Sequence, residues 1–296
     1  LFRQYLKEHG FNVPHAKGYT SYEDALADID SFRLPVMVKP VDSSGSKGIN
    51  KLTDKSRLKE FVEDALKYSR DKRFLIEEFI VKKGYQISGD AFSVDGKLVF
   101  HCFGNEYYSS QVTKDFAPLG ECWPLLMDRS VEDKLCADLQ RLITSLGMKS
   151  TAYNVEAIVD EHDNIYILEL GARSGGSLIP QITHYATGVN MVTYVIKAAM
   201  GEDCSDLQQA PCRGYWSNYM VHANESGRYA GIWFDDDFRK NHLIEFVTDV
   251  KEGDEVHKFR DAQDAVGTLM IKYDNPEQMF GMIEDMDNYV KVQTTR

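Results

Sequence analysis

The spacing of apolar positions along this chain changes many times, and each change marks an element. Residues 1–9 carry a helical pattern that stops at Gly10. Residues 21–29 predict a second short helix, with Ser21 as N-cap and Asp24 at the capping-box position. Residues 35–39 predict a short buried strand, followed by a Gly- and Ser-rich loop over 41–48. Leu58, Phe61, Val62, Ala65 and Leu66 fall on one face of a helix over 56–68. A strand over 74–80 ends at the turn Lys82-Lys83-Gly84, and 85–94 with 97–104 predict a hairpin around Asp95-Gly96. Residues 105–124 show no clear period and predict a substrate or lid loop. Helices follow over 131–146 and 179–200, the second ending at Gly201. From Pro211 strands alternate with turns, and one late helix spans 276–289. There are no internal repeats or low-complexity segments.

One hairpin carries more information than the rest. Residues 153–159 and 165–170 are rich in β-branched and aromatic side chains, and the polar run Asp160 to Asn164 separates them. A turn centred on His162 and Asp163 would set Glu156 directly opposite Glu169. Like charges facing across a ladder are unfavourable, so two anions held there suggest a cation between them. Hard oxygen ligands that leave positions open for phosphate oxygens suit Mg2+. The plainer alternative is a solvated pair of strand glutamates, which the mostly apolar strands disfavour.

Composition narrows the class. The 296 residues are 43% hydrophobic and 27% charged, ordinary globular material sufficient for two or three compact lobes. The net charge of −12, with no basic block, argues against nucleic acid as the main partner. No apolar run approaches the length of a membrane span. The five cysteines (Cys102, Cys122, Cys136, Cys204 and Cys212) have no CxxC spacing and suit a reducing cytoplasm better than a disulfide framework or zinc site. The chain starts inside a helical pattern without Met, which leads us to expect a fragment.

Other candidate residues surround that hairpin in the sequence. Lys39 leaves an apolar strand and is followed by Ser43-Ser44-Gly45-Ser46-Lys47-Gly48, where small residues let backbone N–H groups approach anionic oxygens. The spacing is not that of a Walker A loop, and most loops of this kind are plain turns. Glu77 and Ile80 end an apolar strand and could offer an acceptor and a backbone contact to an adenine ring; exposed glutamates on an edge strand are the alternative. Gln86 could bond a ribose hydroxyl. Arg173, four residues past Glu169 in a Gly-rich stretch, can hold phosphate bidentately. His184 could line a substrate site, although a packed or surface histidine is the more ordinary reading.

These elements, in this order, resemble the ATP-grasp superfamily. They are the strand lysine with its Gly/Ser loop (Lys39 to Gly48), the acidic hinge strand (Glu77 to Ile80), Glu156, and Glu169-x3-Arg173 followed by Gly175-Gly176. The resemblance covers essentially the whole chain, including Pro180, Thr187-Gly188-Val189-Asn190, Glu252-Gly253-Asp254 and Val266-Gly267. The branch is similar to the one holding biotin carboxylase, carbamoyl phosphate synthase and L-amino acid ligases. It implies an α+β fold, with two α+β lobes whose antiparallel sheets clamp ATP and a C-terminal α/β extension. An N-terminal Rossmann-like domain would precede Leu1. The expected divisions are 1–80 (small lobe with phosphate loop), 81–208 (large lobe with metal site) and 209–296 (C-terminal ligase-like subdomain).

The resemblance also implies roles. Lys39 would meet the ATP phosphates, and Ser44, Gly45 and Ser46 would form a phosphate lid. Glu77 with the backbone of Glu78, Phe79 and Ile80 would hold adenine, and Gln86 the ribose. Glu156 and Glu169 would bind Mg2+ (or Mn2+), and Arg173 would steady the transferred phosphoryl group, with Lys39 and Arg173 as the catalytic pair. The implied reaction is an ATP-dependent ligation in the cytoplasm. A small-molecule carboxylate becomes an acyl phosphate and an amine displaces phosphate. A homodimer is compatible with this branch. Three departures stand out: Gly171 replaces the Asn that relatives often carry two residues after the second glutamate, Gln86 replaces Glu or His, and a first ATP lysine of the family, like the Rossmann-like domain, would fall before Leu1. Bicarbonate activation, or a module that binds ATP without turnover, are the alternatives.

Overall fold

The computed structural model describes residues 2–109, 118–260 and 262–296. They divide into two compact units, one of Leu1–Lys83 with Val159–Tyr166 and one of Gly84–Ile158 with Ile167–Arg296.

The first unit contains helix α1 (Phe2–Glu8), strand β1 (Ala16–Tyr19), helix α2 (Tyr22–Asp28), strands β2 (Val36–Pro40) and β3 (Asn50–Leu52), helix α3 (Leu58–Tyr68) and strand β4 (Phe74–Glu78). The four strands form an antiparallel sheet in the order β1-β4-β2-β3. The predicted face of α3 packs onto it, with Leu58, Phe61, Val62 and Ala65 buried against Val36, Val38, Phe74 and Ile76. Ser21 caps α2 as expected, accepting from the Asp24 N–H at 3.2 Å.

The second unit begins with β5 (Ile87–Val94) and β6 (Lys97–Tyr107), joined through Asp95 and Gly96 at positive φ of 50° and 85°, the geometry of a type I′ turn. Then come β7 (Gly120–Trp123), α4 (Arg129–Ser145), β8 (Thr151–Val159) and β9 (Ile165–Gly171). Helices α5 (Ile179–Thr187) and α6 (Met191–Ala199) follow, then β10 (Tyr215–His222), β11 (Gly227–Phe234) and α7 (Asp236–Asn241). Strands β12 (Leu243–Val247), β13 (Glu255–Val256) and β14 (Ala265–Tyr273), helix α8 (Pro276–Glu284) and β15 (Val290–Thr295) complete the chain. An eight-stranded sheet runs β12-β14-β10-β7-β6-β5-β8-β9, and β13-β11-β15 form a small second sheet.

Several expectations shift. The segment 105–124 is not one irregular loop: β6 runs on to Tyr107, β7 occupies Gly120–Trp123, and the two pair with Glu106 opposite Glu121. Residues 110–117 of that predicted lid, Lys114 among them, lie outside the described residues. The helix over 179–200 is two helices, because Gly188 turns left-handed (φ 81°) and Asn190 caps the second through the Thr193 N–H. The segment 209–296 does not stand apart as a subdomain, since β10, β12 and β14 complete the same sheet as β5 to β9. The β8–β9 turn is also one residue off the expected centre. The Asp160 N–H donates to the Asn164 carbonyl at 3.0 Å and the Asp163 N–H to the Asp160 carbonyl at 3.1 Å. Asp163 sits at φ 59°, so a three-residue connection replaces the two-residue one. This turn does not require Glu156 and Glu169 to lie level; the support for that pair comes from elsewhere.

Candidate functional site

In the first unit the expected nucleotide residues meet at one end of the sheet. Register pairs Met37 with Glu77 and Lys39 with Leu75, placing Lys39 and Glu77 on neighbouring strands. They are bonded: Lys39 Nζ donates to Glu77 Oε1, while Arg3 Nε donates to Glu77 Oε2 at 2.9 Å. Burial would push the Glu77 carboxyl up, but the Lys39 and Arg3 charges outweigh it and hold it below the usual range. An acceptor assigned to adenine is thus already clasped by two cations, and Arg3, at the start of α1, was not singled out in the sequence. Nothing in the apolar pattern of α1 marks Arg3; only the three-dimensional approach of that helix does.

Beyond Glu77, the Glu78 N–H donates to His15 O at 2.9 Å and the Phe79 N–H to Pro35 O at 3.0 Å. The Glu78 carboxylate accepts from the Arg33 N–H at 2.9 Å. Two of the three backbone donors expected at adenine therefore serve the protein, leaving Ile80 as the open backbone position among the described residues. Lys51 Nζ lies 3.8 Å from the Phe79 ring centroid. The Gly/Ser loop is anchored from behind by Asp42, which accepts from the N–H groups of Arg70 and Asp71 at 2.9 and 3.0 Å. Ser44 and Gly45 are exposed at its tip. Gly45, Ser46 and Gly48 have positive φ of 66°, 59° and 73°, and a Cβ on Gly48 would lie 3.2 Å from the Ala65 Cα. Glycine is required at 48 by sterics as well as by φ.

In the second unit one face of the large sheet is polar. Register aligns Ser88 with Glu156 and Asp90 with Asn154 across β5 and β8. Gln86 Nε2 donates to Glu156 Oε2 at 3.3 Å. Arg173 Nη1 donates to Asn154 Oδ1 at 3.1 Å and to the Ser174 carbonyl at 2.8 Å, and Arg173 Nη2 lies 3.5 Å from Glu169 Oε1. Asn154 and Glu156 are two apart on β8 and so share a face; Arg173 ties that face to Glu169. Glu169 and Arg173 are about half exposed, so their pairing adds little stability and leaves both reachable by a ligand. A Cβ at Gly171 would stand 3.5 Å from Glu169 Oε1 and 3.6 Å from Arg173 Cγ, which is ordinary contact. Glycine there is not forced by space. His184 is exposed on α5, and among the described residues no hydrogen bond or ion pair joins it to this group.

Sequence reasoning missed four residues beneath this surface. Asp90 is fully buried and accepts from the Gly175 N–H at 2.8 Å through Oδ1, while Oδ2 has no hydrogen-bond partner among the described residues. Burial raises its pKa to about 7; the Gly175 N–H, the Asn154 amide and the Arg173 charge offset this only in part. Glu121 on β7 is buried and also raised to about 7 by burial, with Glu156 and Asp90 adding to the shift against hydrogen bonds from Asn218 and Ser88. Asn218 Oδ1 accepts from the Glu121 N–H at 2.6 Å, and its Nδ2 bonds both Glu121 Oε2 and the Ser177 carbonyl. The last contact supports Ser177 and Leu178, which lead into α5 at φ 47° and 62°. Alternation on β5 would have placed Ser88 and Asp90 beside Gln86 on one face, but β7 and β10 were not legible enough to add Glu121 and Asn218.

Comparison with known proteins follows the same outline. Residues 1–207 match the family model described as carbamoyl-phosphate synthase L chain, ATP binding domain. The carbamoyl phosphate synthase large chain of Clostridium acetobutylicum is 26% identical over 208 residues, 70% of this chain but 19% of that protein. The C-terminal section of the Aquifex aeolicus large chain is 23% identical over 70% of this chain and 37% of its own length. This chain therefore spans well under half of these relatives. Among solved structures, the L-amino acid ligase of Bacillus licheniformis superposes with a TM-score of 0.80 at 17% identity, over 99% of this chain and 71% of that one. The biotin carboxylase domain of the Hydrogenobacter thermophilus 2-oxoglutarate carboxylase gives 0.75 at 18% identity, over 100% and 66%. These likenesses show the ATP-grasp fold.

Proposed function

The chain belongs to the carbamoyl-phosphate synthase L chain ATP-binding domain family, and on that footing we propose that it is the ATP-using part of a carboxylate–amine ligase. A carboxylate oxygen attacks the γ-phosphorus of ATP and the bond to the β–γ bridging oxygen breaks, releasing ADP. The amine nitrogen then attacks the acyl carbon of the acyl phosphate, the carbon–oxygen bond breaks, and phosphate leaves as the nitrogen loses its proton. The observation that carries this reading is Arg173, which bonds Asn154 and Glu169 together, beside a Glu156 that Gln86 holds in place.

In this reading Lys39 and the loop of Ser44, Gly45 and Ser46 meet the triphosphate. The Ile80 N–H and the Glu77 carboxylate bind adenine, with Glu78 and Phe79 fixing the strand end. Gln86 bonds the ribose. Glu156 and Glu169 are the carboxylates that would hold Mg2+, or Mn2+ in its place; the donor set of two hard carboxylate oxygens beside an arginine suits such an ion bound together with phosphates. A divalent ion there supplies charge neutralisation on the phosphate oxygens. Arg173 stabilises the charge that develops on the transferring group, and positioning supplies most of the remaining acceleration.

A phosphate-release screen of the complete protein with MgATP, pooled carboxylates and pooled amines tests the proposal. Release that needs one acid and one amine together is expected. Glu169→Ala should lower it by about 10²–10³, and turnover unchanged in that variant would remove Glu169 from the site. Release that needs bicarbonate alone would replace the ligase reading with bicarbonate activation.

A further inference from the structure

Residues 207–213, on the way from α6 to β10, form neither helix nor strand, yet their course is fixed. The Gln209 amide grips the backbone of His101 on β6: its Oε1 accepts from the His101 N–H at 2.8 Å and its Nε2 donates to the His101 carbonyl at 2.9 Å. Further on, the Arg213 N–H donates to the Ala186 carbonyl on α5 at 2.8 Å, and the Arg213 carbonyl accepts from Trp216 Nε1 at 2.7 Å. Between these anchors, Ala210 and Cys212 pack against the apolar cluster that contains Cys102, the residue after His101. The anchoring brings the two thiols within hydrogen-bonding reach of each other. They differ in access: Cys102 is 4% exposed, whereas Cys212 is only partly buried. The hydrogen bond from Cys102 outweighs that partial burial and holds the Cys212 thiol below its usual pKa; the same bond, together with burial, pushes Cys102 well above. The thiolate is the nucleophile in sulfur exchange, so the accessible sulfur is also the readier one.

We propose that Cys212 and Cys102 form a reversible modification site, at which a low-molecular-weight disulfide such as oxidised glutathione converts the pair into a disulfide that clasps β6 to the segment entering β10. The Cys212 thiolate attacks one sulfur of the small disulfide, whose S–S bond breaks and releases one thiolate. Cys102 then gives its proton to solvent and its sulfur attacks Cys212 Sγ. The protein disulfide forms, and the second small thiolate leaves and takes up a proton. Two protein thiols are oxidised and one small disulfide is reduced to two thiols. The remaining cysteines are poorer partners. Cys204 is buried and its thiol donates to the Tyr194 and Glu202 carbonyls. Burial pushes Cys122 up, and Cys136 up to about 12. The proposal stands independently of the ligase reading, but its place bears on that site. Register sets Cys102 opposite Asp90, and Asp90 holds the Gly175 N–H in the stretch that follows Arg173.

Incubation of the reduced complete protein with oxidised glutathione under native conditions tests this, read by intact mass and by peptide mapping without reductant. The expected product has lost the mass of two hydrogens, retains no glutathione, and yields a cross-linked peptide pair holding Cys102 and Cys212; dithiothreitol restores the starting mass. Cys102→Ala is expected to stop with one glutathione held on Cys212, and Cys212→Ser to leave Cys102 unmodified. Circular dichroism confirms that each variant is folded, and the partly exposed Cys212 position serves if the buried one does not tolerate change. Wild-type protein that stays fully reduced, that keeps glutathione on Cys212, or that links Cys212 to a different cysteine overturns the proposal, as does Cys102 oxidised equally well in a folded Cys212→Ser chain.

Discussion

Asp90 shows how a single residue can couple the site to the stability of the fold. Its carboxyl titrates near 7 in the folded chain because burial disfavours the charged form. An unfolded aspartate releases its proton near pH 4. Between those values the native state holds a proton that the unfolded state has given up, so stability falls as pH rises, by up to about 1.4 kcal/mol per unit. The contribution is fully present below about pH 4 and lost as pH rises through 7. Asp90→Asn should flatten the fall in urea-unfolding free energy between pH 5 and 7.5 relative to the wild type; an identical slope would remove Asp90 as its source. At Gly171 the space beside Glu169 admits a side chain. Gly171→Asn is expected to add an oxygen ligand worth about 1.4 kcal/mol, tightening Mg2+ about tenfold in a titration of the nucleotide-bound protein. Unchanged affinity would mean that the site already has the oxygens it needs.

At the scale of elements, the stretch between β9 and α5 joins the site to the core. Gly175 donates to Asp90, and a Cβ there would come within 2.6 Å of Ile179 Cδ1 and 3.0 Å of both Asn154 Nδ2 and Asp90 Oδ1. Gly175→Ala should cost about 1–3 kcal/mol in chemical unfolding and disturb the Arg173–Asn154 bond along with it. A variant as stable as the wild type would show that the stretch yields freely. Elements with a clean local signal were legible in the sequence: the α3 stripe, the Ser21 cap and the Asp95-Gly96 turn all appear where their chemistry demands. What was not legible depended on pairing between distant strands. β7 is four residues long, and its Glu121 becomes interpretable only once β6 and β10 flank it. The same holds for Arg3, whose meaning comes from Glu77, 74 positions away. The β8–β9 turn erred by one residue because a left-handed aspartate can replace the glycine that a sequence reader looks for.

Across the whole molecule, the family match ends at residue 207, yet the sheet does not. β10 supplies Asn218, which fixes Glu121, and β10 and β14 extend the sheet that carries Glu156. The residues beyond the match therefore belong to the same structural unit as the proposed metal site. Among the described residues no helix is long and apolar enough to cross a membrane. The central claim is that a carboxylate oxygen becomes bonded to the γ-phosphorus of ATP. Once the screen has identified the acid, the most direct measurement supplies it with both carboxylate oxygens as ¹⁸O and determines the isotope content of the released phosphate by mass spectrometry. The account predicts one ¹⁸O in each phosphate formed during ligation. Phosphate free of ¹⁸O, with its fourth oxygen taken from the solvent, would contradict it.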